Sequence, residues 1–288
     1  MDKKTTKSKK ALVLGQGGLA GAYSAGFVSE LCRQLGNKYF DSVYCYSVGS
    51  TIGTFFVANQ PQVIENTWQN YVSGKQLIKP FNFLKRKPIL DLDYLVSLFQ
   101  NKKAKLNIDA VMSSGINLQY VLIDYNSGEI NCLKPDKINI FKLIKACCSL
   151  PIVHGPSEVD DKLFFDAAFV YGGLPFLEKI ANQYDEIVVV LNFPKDYRSN
   201  LLWWPVMNIF FPIASYFYPK KLRTVFKRRK NKWKEIFKCA EKNKHIKILA
   251  PNRLFLGFGG DSNKKHIHKT IDLGKQDAKE FITQNHLL

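Results

Sequence analysis

The stretch from Ala11 to Gly21, ALVLGQGGLAG, places a short apolar run directly before a cluster of glycines. Beyond Gly21 the apolar residues recur at near-helical spacing, at Ala22, Ala25, Leu31 and Leu35. This pattern predicts a strand, a glycine loop and a helix. Glycines in such a loop let backbone N–H groups converge on an anion at the helix N-terminus.

A second unit of the same kind follows. Ser42 to Cys45 predicts a strand that turns sharply at Tyr46-Ser47-Val48 into a helix through Val57. Two such units within about 45 residues imply a parallel sheet with helical crossovers. Ser47 would then occupy the position of a nucleophile elbow, where a strained turn presents a hydroxyl above the sheet. The alternative is a serine that caps the helix.

The remaining chain supplies further elements of an α/β protein. A hairpin is predicted from Asn117 to Ile123 and Glu129 to Leu133, strands at Lys162–Phe165, Glu186–Leu191 and Ile246–Leu249, and helices at Ile140–Leu150, Leu222–Asn243 and Lys275–Thr283. Asp166 directly follows one of these strands, and two alanines after it leave room around its carboxylate. Taken alone, Asp166 could equally cap a helix or lie in a surface turn.

Length and composition favour one globular unit. The chain has 288 residues, of which 46% are hydrophobic and 23% charged, and such a chain can close one large core. No linker or low-complexity segment divides it, so we predict a basic tail at residues 1–10 and a single domain at 11–288. The composition excludes a disordered, collagenous or coiled-coil protein.

The net charge of +18 indicates an anionic partner, either nucleic acid or an acidic lipid surface. Lipid is favoured by an aromatic stretch with Trp203 and Trp204, followed by the basic residues Lys227, Arg228 and Arg229. Rings at the headgroup level beside basic side chains suit a bilayer interface. We therefore predict a membrane-facing segment at about 199–238, the alternative being a flap buried against the core. Nucleic-acid binding is supported by charge alone and is not expected.

The N-terminus and the cysteines indicate the compartment. The lysine-rich start resembles a signal peptide, but the glycines of the first loop interrupt its apolar run, so no cleaved signal is predicted. The three prolines between Ser199 and Pro219 disfavour a transmembrane helix. Six cysteines without a CxxC pair are interpreted as reduced core thiols. We expect a cytoplasmic protein that associates with membranes peripherally and binds no metal.

Taken together, the glycine loop, the serine turn and the later aspartate resemble the patatin-like phospholipase family, whose motifs are GGGxRG, GxSxG and DGG or DGA. The resemblance extends over roughly Ala11 to Leu191, including FDSVYCYSVGS, CCSLPIV and DAAFVYGGLP. It implies an α/β fold and a serine-aspartate dyad without a cofactor. Ser47 would attack a phospholipid or other lipid ester, Asp166 would accept its proton, and the amides of Gly17, Gly18 and Leu19 would stabilise the oxyanion.

The sequence also departs from the family motifs. Gln16 replaces a glycine and Ala20 the arginine of GGGxRG, Cys45 replaces the elbow glycine, and Ala167 and Ala168 replace the glycines after the aspartate. A catalytically impaired, lipid-binding pseudoenzyme is therefore the alternative to a working hydrolase. His154, close to Asp166 in sequence, is a weaker candidate for the base of a Ser-His-Asp triad.

Overall fold

The computed structural model describes residues 8–287 except 73–75, 80–81, 83–84, 86, 102, 152, 169–173, 198–212, 214–215, 228–232 and 257–260. The strands are β1 (Lys10–Leu14), β2 (Ser42–Cys45), β3 (Asn117–Asp124), β4 (Ile130–Leu133), β5 (Ser157–Val159), β6 (Lys162–Asp166), β7 (Glu186–Val190) and β8 (Ile246–Leu249). The helices are α1 (Ala22–Leu35), α2 (Gly49–Val57), α3 (Pro61–Asn70), α4 (Leu92–Gln100), α5 (Ile108–Ser113), α6 (Ile140–Cys147), α7 (Leu174–Ile180), α8 (Lys220–Lys227), α9 (Trp233–Lys242) and α10 (Lys264–Gln284).

These strands form one sheet of mixed direction. Each strand is hydrogen-bonded to the next in the series β5-β6-β3-β2-β1-β7-β8. Along β3, β2 and β6 follow one another on the same edge, and β4 pairs with the other edge. The strands β3, β2, β1, β7 and β8 run parallel to one another, whereas β4 and β6 run antiparallel to β3. The carboxyl ends of β1, β2 and β7 therefore lie at one edge of the sheet, where α/β proteins place their sites.

Helices cover both faces of the sheet, because successive residues of its central strands point to opposite faces and nearly all of them are buried. On β1, Leu12 and Leu14 pack into a core with α1, α2, α3, α6 and α10. Ala11 and Val13 point to the opposite face and pack against apolar residues of α7, α8 and α9. The predicted α/β fold with a central sheet flanked by helices is confirmed.

The helices α1 and α10 cross at very short range, and glycines permit this approach. A Cβ atom on Gly26 would lie 2.1 Å from the carbonyl oxygen of Ile271, and one on Gly274 would lie 2.1 Å from that of Tyr23. The Tyr23 hydroxyl also donates to Asp277 Oδ2 at 2.7 Å. Because α1 begins directly after the glycine loop, α10 holds the helix that carries this loop.

Several predicted boundaries differ from the structure. The predicted closing helix Lys275–Thr283 covers less than half of α10, which begins after Asn263, whose side chain accepts the Lys265 amide. The predicted helix Leu222–Asn243 overlaps α8 and α9, and 228–232 lie outside the described residues. One cysteine corrects the prediction of core thiols: all six are free, but Cys132 on β4 is exposed.

Candidate active site

Ser47 forms a strained turn between β2 and α2. Its φ is +52°, a conformation that costs a non-glycine residue about 1–3 kcal/mol and concentrates at functional sites. The turn is closed by the Gly49 amide, which donates to the Tyr46 carbonyl at 3.0 Å. The N-cap of α2 is Val48, without a capping side chain, so the interpretation of Ser47 as a helix cap is wrong. The turn has the geometry of a nucleophile elbow.

The last glycine of the elbow is required by a close backbone approach. A Cβ atom on Gly49 would lie 2.2 Å from the carbonyl oxygen of Leu14. The first glycine position is different, because Cys45 fits there, fully buried. The Cys45 Cβ faces Gly53 of α2, and a Cβ atom added to Gly53 would lie only 3.3 Å from it. Because Gly53 has no side chain, there is room for the Cys45 side chain at the first elbow position.

The register of the sheet brings Asp166 to this turn. Cys45 at the end of β2 pairs with Tyr120 of β3, and Asp166 at the end of β6 pairs with Leu122. Tyr120 and Leu122 both also pair with β4, on one edge of β3. Because a strand residue has one partner on each edge, β2 and β6 must both lie on the other edge. Asp166 therefore lies about 7 Å along β3 from the end of β2, which is where the chain turns through Ser47.

The Asp166 carboxylate is fully buried. Its Oδ1 accepts the amide of Ala168 at 2.8 Å, while Oδ2 has no regular hydrogen bond within the described part of the chain. Burial raises the pKa of Asp166 to about 7, and hydrogen bonding by the Ser47 hydroxyl and the Ala168 amide opposes that rise. Ser47 and Asp166 thus form a candidate pair, in which a serine hydroxyl lies near a carboxyl group whose pKa is close to neutral pH.

The glycine loop presents unpaired amides at the same edge of the sheet. Gly18 has a φ of +54°, and the chain then forms a short 3₁₀ turn, Gly18–Gly21. Among the described residues, no acceptor pairs with the amides of Gly17, Gly18 or Leu19, whereas the Ala20 amide donates back to Gly17 at 3.0 Å. Free amides that converge in such a loop can bind the negative oxygen of a tetrahedral intermediate.

Asn192 is a site residue that the sequence analysis missed. It lies just beyond β7, is fully buried, and its side-chain amide donates to the Gln16 carbonyl at 3.0 Å and to the Gly15 carbonyl at 3.4 Å. Its Oδ1 accepts the Ser24 amide at 3.1 Å. The available signal was an amide residue directly after the apolar run EIVVVL, at the sheet edge where the loop also begins.

Other candidates lie apart from the dyad. His154 has its pKa lowered by burial, and its charged neighbours are Lys145, Asp93 and Asp91 rather than Asp166. A surface cavity of about 670 Å³ is lined by residues between Asn70 and Lys103. Neither Ser47 nor Asp166 lines it, and its lining holds no nucleophile-base pair, so we place the candidate chemistry at the dyad.

The predicted membrane-facing segment is described only in part. Trp203, Trp204, Arg228 and Arg229 lie outside the described residues, and Lys227 ends α8. The described part contains a protruding apolar group at Ile213, Tyr216 and Phe217, which are 63%, 74% and 83% exposed. No described helix is long and apolar enough to cross a membrane.

The basic helix α8 has two distinct sides. Leu222 and Phe226 pack in the core beneath the sheet, and the Tyr218 ring lies 5.5 Å from that of Phe165, the residue before Asp166. Lys220 and Lys221 point to solvent. The apolar side of this helix therefore belongs to the core, and only its basic side is free for a surface.

The sequence and the fold of this chain are similar to those of known proteins. A family model described as patatin-like phospholipase matches residues 12–178. The uncharacterised protein YjjU of Escherichia coli strain K12 is 22% identical over 201 residues, which cover 69% of this chain and 56% of YjjU. The crystal structure of VipD from Legionella pneumophila superimposes with a TM-score of 0.51 at 11% identity, covering 97% of this chain and 67% of VipD. At that identity the likeness to VipD shows the fold alone.

Proposed function

This chain belongs to the patatin-like phospholipase family, and we propose that it is a lipid acyl hydrolase with Ser47 as nucleophile and Asp166 as base. One observation carries the proposal: Ser47, held at a φ of +52°, lies close enough to the fully buried Asp166 carboxylate for its hydroxyl to lower the pKa of that group. The family supports lipid substrates and lipid hydrolysis in general, whereas the roles of Ser47 and Asp166 rest on this geometry.

The proposed reaction has two steps. In the first, the Ser47 oxygen attacks the ester carbonyl carbon while its proton passes to Asp166. The resulting oxyanion binds the loop amides of Gly17, Gly18 and Leu19, and the alcohol leaves with the proton held by Asp166. In the second step, water gives its proton to Asp166 and attacks the acyl-serine ester. The fatty acid is released, and Ser47 regains the proton.

The departures from the family motifs are compatible with this reaction. The bond from the Ala168 amide to Asp166 is a backbone bond, so alanine supplies it as glycine would. Cys45 has the space of Gly53 beside it, and Ala20 packs in the core. These contacts favour a working enzyme over the alternative, a patatin-like pseudoenzyme that only binds lipid.

We further propose that the substrate is reached at an anionic membrane surface. The docking surface consists of exposed apolar and basic residues before and within α8, together with the half-buried Arg223: Ile213, Tyr216, Phe217, Lys220, Lys221 and Arg223. Rings and aliphatic groups of this kind enter the headgroup region, and each Lys or Arg near anionic lipid adds about 1 kcal/mol. The net charge of +18 matches this partner, which we propose to be met peripherally from the cytoplasm.

Labelling with a fluorophosphonate, combined with a lipid assay, tests the hydrolase proposal. The wild-type protein should react with the probe at Ser47 and release fatty acid from phosphatidylcholine or phosphatidylglycerol vesicles. The Ser47→Ala variant should do neither while remaining folded. A wild-type protein that binds vesicles but neither reacts with the probe nor releases fatty acid would instead establish the pseudoenzyme.

A further inference from the structure

Asn192 uses both polar ends of its side chain to join two parts of the candidate site. Its NH₂ group donates to the carbonyls of Gln16 and Gly15, at 3.0 and 3.4 Å. Its carbonyl oxygen accepts the amide of Ser24 in the first turn of α1. The side chain thereby connects the entrance of the glycine loop to the helix that follows it.

The loop also lies directly on this side chain. A Cβ atom on Gly17 would be 2.6 Å from the Cβ of Asn192 and 3.0 Å from its Nδ2. No side chain could be added at Gly17 without displacing the loop from Asn192. The position of the Gly17 and Gly18 amides is therefore set by Asn192 as well as by the local chain.

We propose that Asn192 is a positioning residue for acyl transfer, one that holds the glycine loop with its free amides directed at the oxyanion. This inference rests on the proposed function of Ser47. Donors that are fixed before the reaction stabilise developing charge without reorganising, which is why an oxyanion site needs support from a second set of residues. Asn192 itself does not touch the substrate.

The chemistry of the bonds distinguishes this role from simple packing. Asn192→Ala leaves the buried carbonyls of Gly15 and Gln16 and the Ser24 amide without their partner. Asn192→Asp keeps the oxygen that accepts the Ser24 amide, but it replaces the donor by a second oxygen that faces the two loop carbonyls. If the loop bonds matter, the aspartate variant is as impaired as the alanine variant.

The experiment compares the wild-type protein, Asn192→Ala, Asn192→Asp and the control Tyr23→Phe. The control removes one hydrogen bond, from Tyr23 in α1 to Asp277 in α10, which costs about 1 kcal/mol of stability and leaves the loop bonds of Asn192 in place. For each protein we would measure the melting temperature, the fluorophosphonate labelling rate at Ser47, and kcat and KM on a p-nitrophenyl ester.

Both Asn192 variants should label about 10- to 100-fold more slowly than wild type and lose kcat by a similar factor, with KM changed by less than about twofold. The Tyr23→Phe control should react at the wild-type rate. Wild-type kinetics in either folded Asn192 variant would overturn the proposal. If Asn192→Ala does not fold, the smaller change Asn192→Ser replaces it; normal kcat in that variant, or failure of all three to fold, also overturns it.

The proposed function can fail separately. If the wild-type protein does not label at Ser47, the hydrolase proposal is wrong, and hydrogen exchange of the Ala20 amide decides the role of Asn192. That amide donates its hydrogen bond to the Gly17 carbonyl within the loop. Asn192 is not its acceptor, so a change in its exchange rate reports on the loop. Faster exchange in Asn192→Ala than in Tyr23→Phe supports the positioning of the loop, and equal exchange refutes it.

Discussion

Gly49 passes so close to Leu14 that a Cβ atom on the glycine would lie 2.2 Å from the Leu14 carbonyl oxygen. Leu14 ends β1 and Gly49 begins α2, so the two residues fix how the elbow is seated on the sheet. This contact explains why one glycine of the GxSxG motif is kept while Cys45 replaces the other. Of the two glycine positions in this motif, Gly49 is the one at which a side chain would meet backbone atoms, which cannot move aside.

Gly49→Ala should therefore destabilise the protein by about 3 kcal/mol, because the new methyl group must displace a strand. Its matched control is Gly53→Ala in the same helix, where a Cβ would meet side chains at 3.2 to 3.3 Å and the helix propensity of alanine offsets the crowding. The control should stay within about 1 kcal/mol of wild type. Urea denaturation midpoints measure both, and equal midpoints would contradict the close contact.

Ser47 itself should be dispensable for folding but required for activity. Ser47→Gly should abolish ester hydrolysis and stabilise the protein by about 1 kcal/mol, because glycine adopts a positive φ without strain. Ser47→Ala should be equally inactive without this gain, since alanine retains the strain. Thermal melts and an ester assay on the two variants test this difference. A glycine variant less stable than the alanine variant would show that the turn is unstrained.

The ionisation of Asp166 should set the pH dependence of activity. Burial raises its pKa to about 7, and the base acts only as a carboxylate. The labelling rate and kcat/KM should therefore increase with pH to a plateau, with a midpoint near 7 in the free enzyme. Asp166→Asn should be inactive across the range. A wild-type profile that is flat from pH 5 to 9 would exclude Asp166 as the base.

The same shift predicts a stability effect of opposite sign. A carboxyl whose folded pKa is raised binds its proton more tightly when folded, so its contribution is complete below pH 3.8 and is lost as pH rises through about 7. Asp166→Asn removes the buried charge and should be more stable than wild type at pH 8, by as much as about 4 kcal/mol for a shift of this size. Its advantage should shrink at pH 5. Chemical denaturation at the two pH values measures this, and an equal advantage at both would place the wild-type ionisation elsewhere.

The elements that local sequence encodes were predicted well. The apolar run before the glycine loop placed β1, the short run before the turn at Ser47 placed β2, and the apolar run EIVVVL placed β7. The turn at Ser47 follows from two consecutive βα units. The position of Asp166 was not predictable in this way, because it depends on β6 pairing antiparallel to β3 with Leu122 opposite Asp166. Register between distant strands leaves no periodic signal in either strand.

Long-range contacts also explain what was missed. Asn192 acts through carbonyls about 176 residues earlier in the chain, so nothing in its neighbourhood marks it as a loop support. The first half of α10 is rich in Lys and His and has a weak apolar pattern. That half packs against α1 through the close backbone contacts of Ile271 and Gly274. Such contacts form between distant parts of the chain and leave no pattern in the local sequence.

The docking surface yields the last prediction, in which its apolar and basic parts act separately. Replacing Tyr216 and Phe217 by Ala should weaken binding to neutral and anionic vesicles alike, because the lost contribution is burial of exposed rings. Charge reversal at Lys220 and Lys221 should weaken binding to anionic vesicles only and reduce its salt dependence, since these charges act within a Debye length of about 8 Å at physiological salt.

Ile138 provides the control for this experiment, because it is 83% exposed and lies just before α6, outside the docking surface. Ile138→Ala should bind vesicles as wild type does, which separates a local surface from general hydrophobicity. Co-sedimentation with phosphatidylcholine and phosphatidylglycerol vesicles at low and high salt measures all variants. If the wild-type protein ignores both vesicles at low salt and instead binds nucleic acid tightly, its positive charge serves that partner and the membrane proposal fails. If Phe217→Ala and Ile138→Ala weaken binding equally, the docking surface has no special role, and lipid is met on another face of the protein.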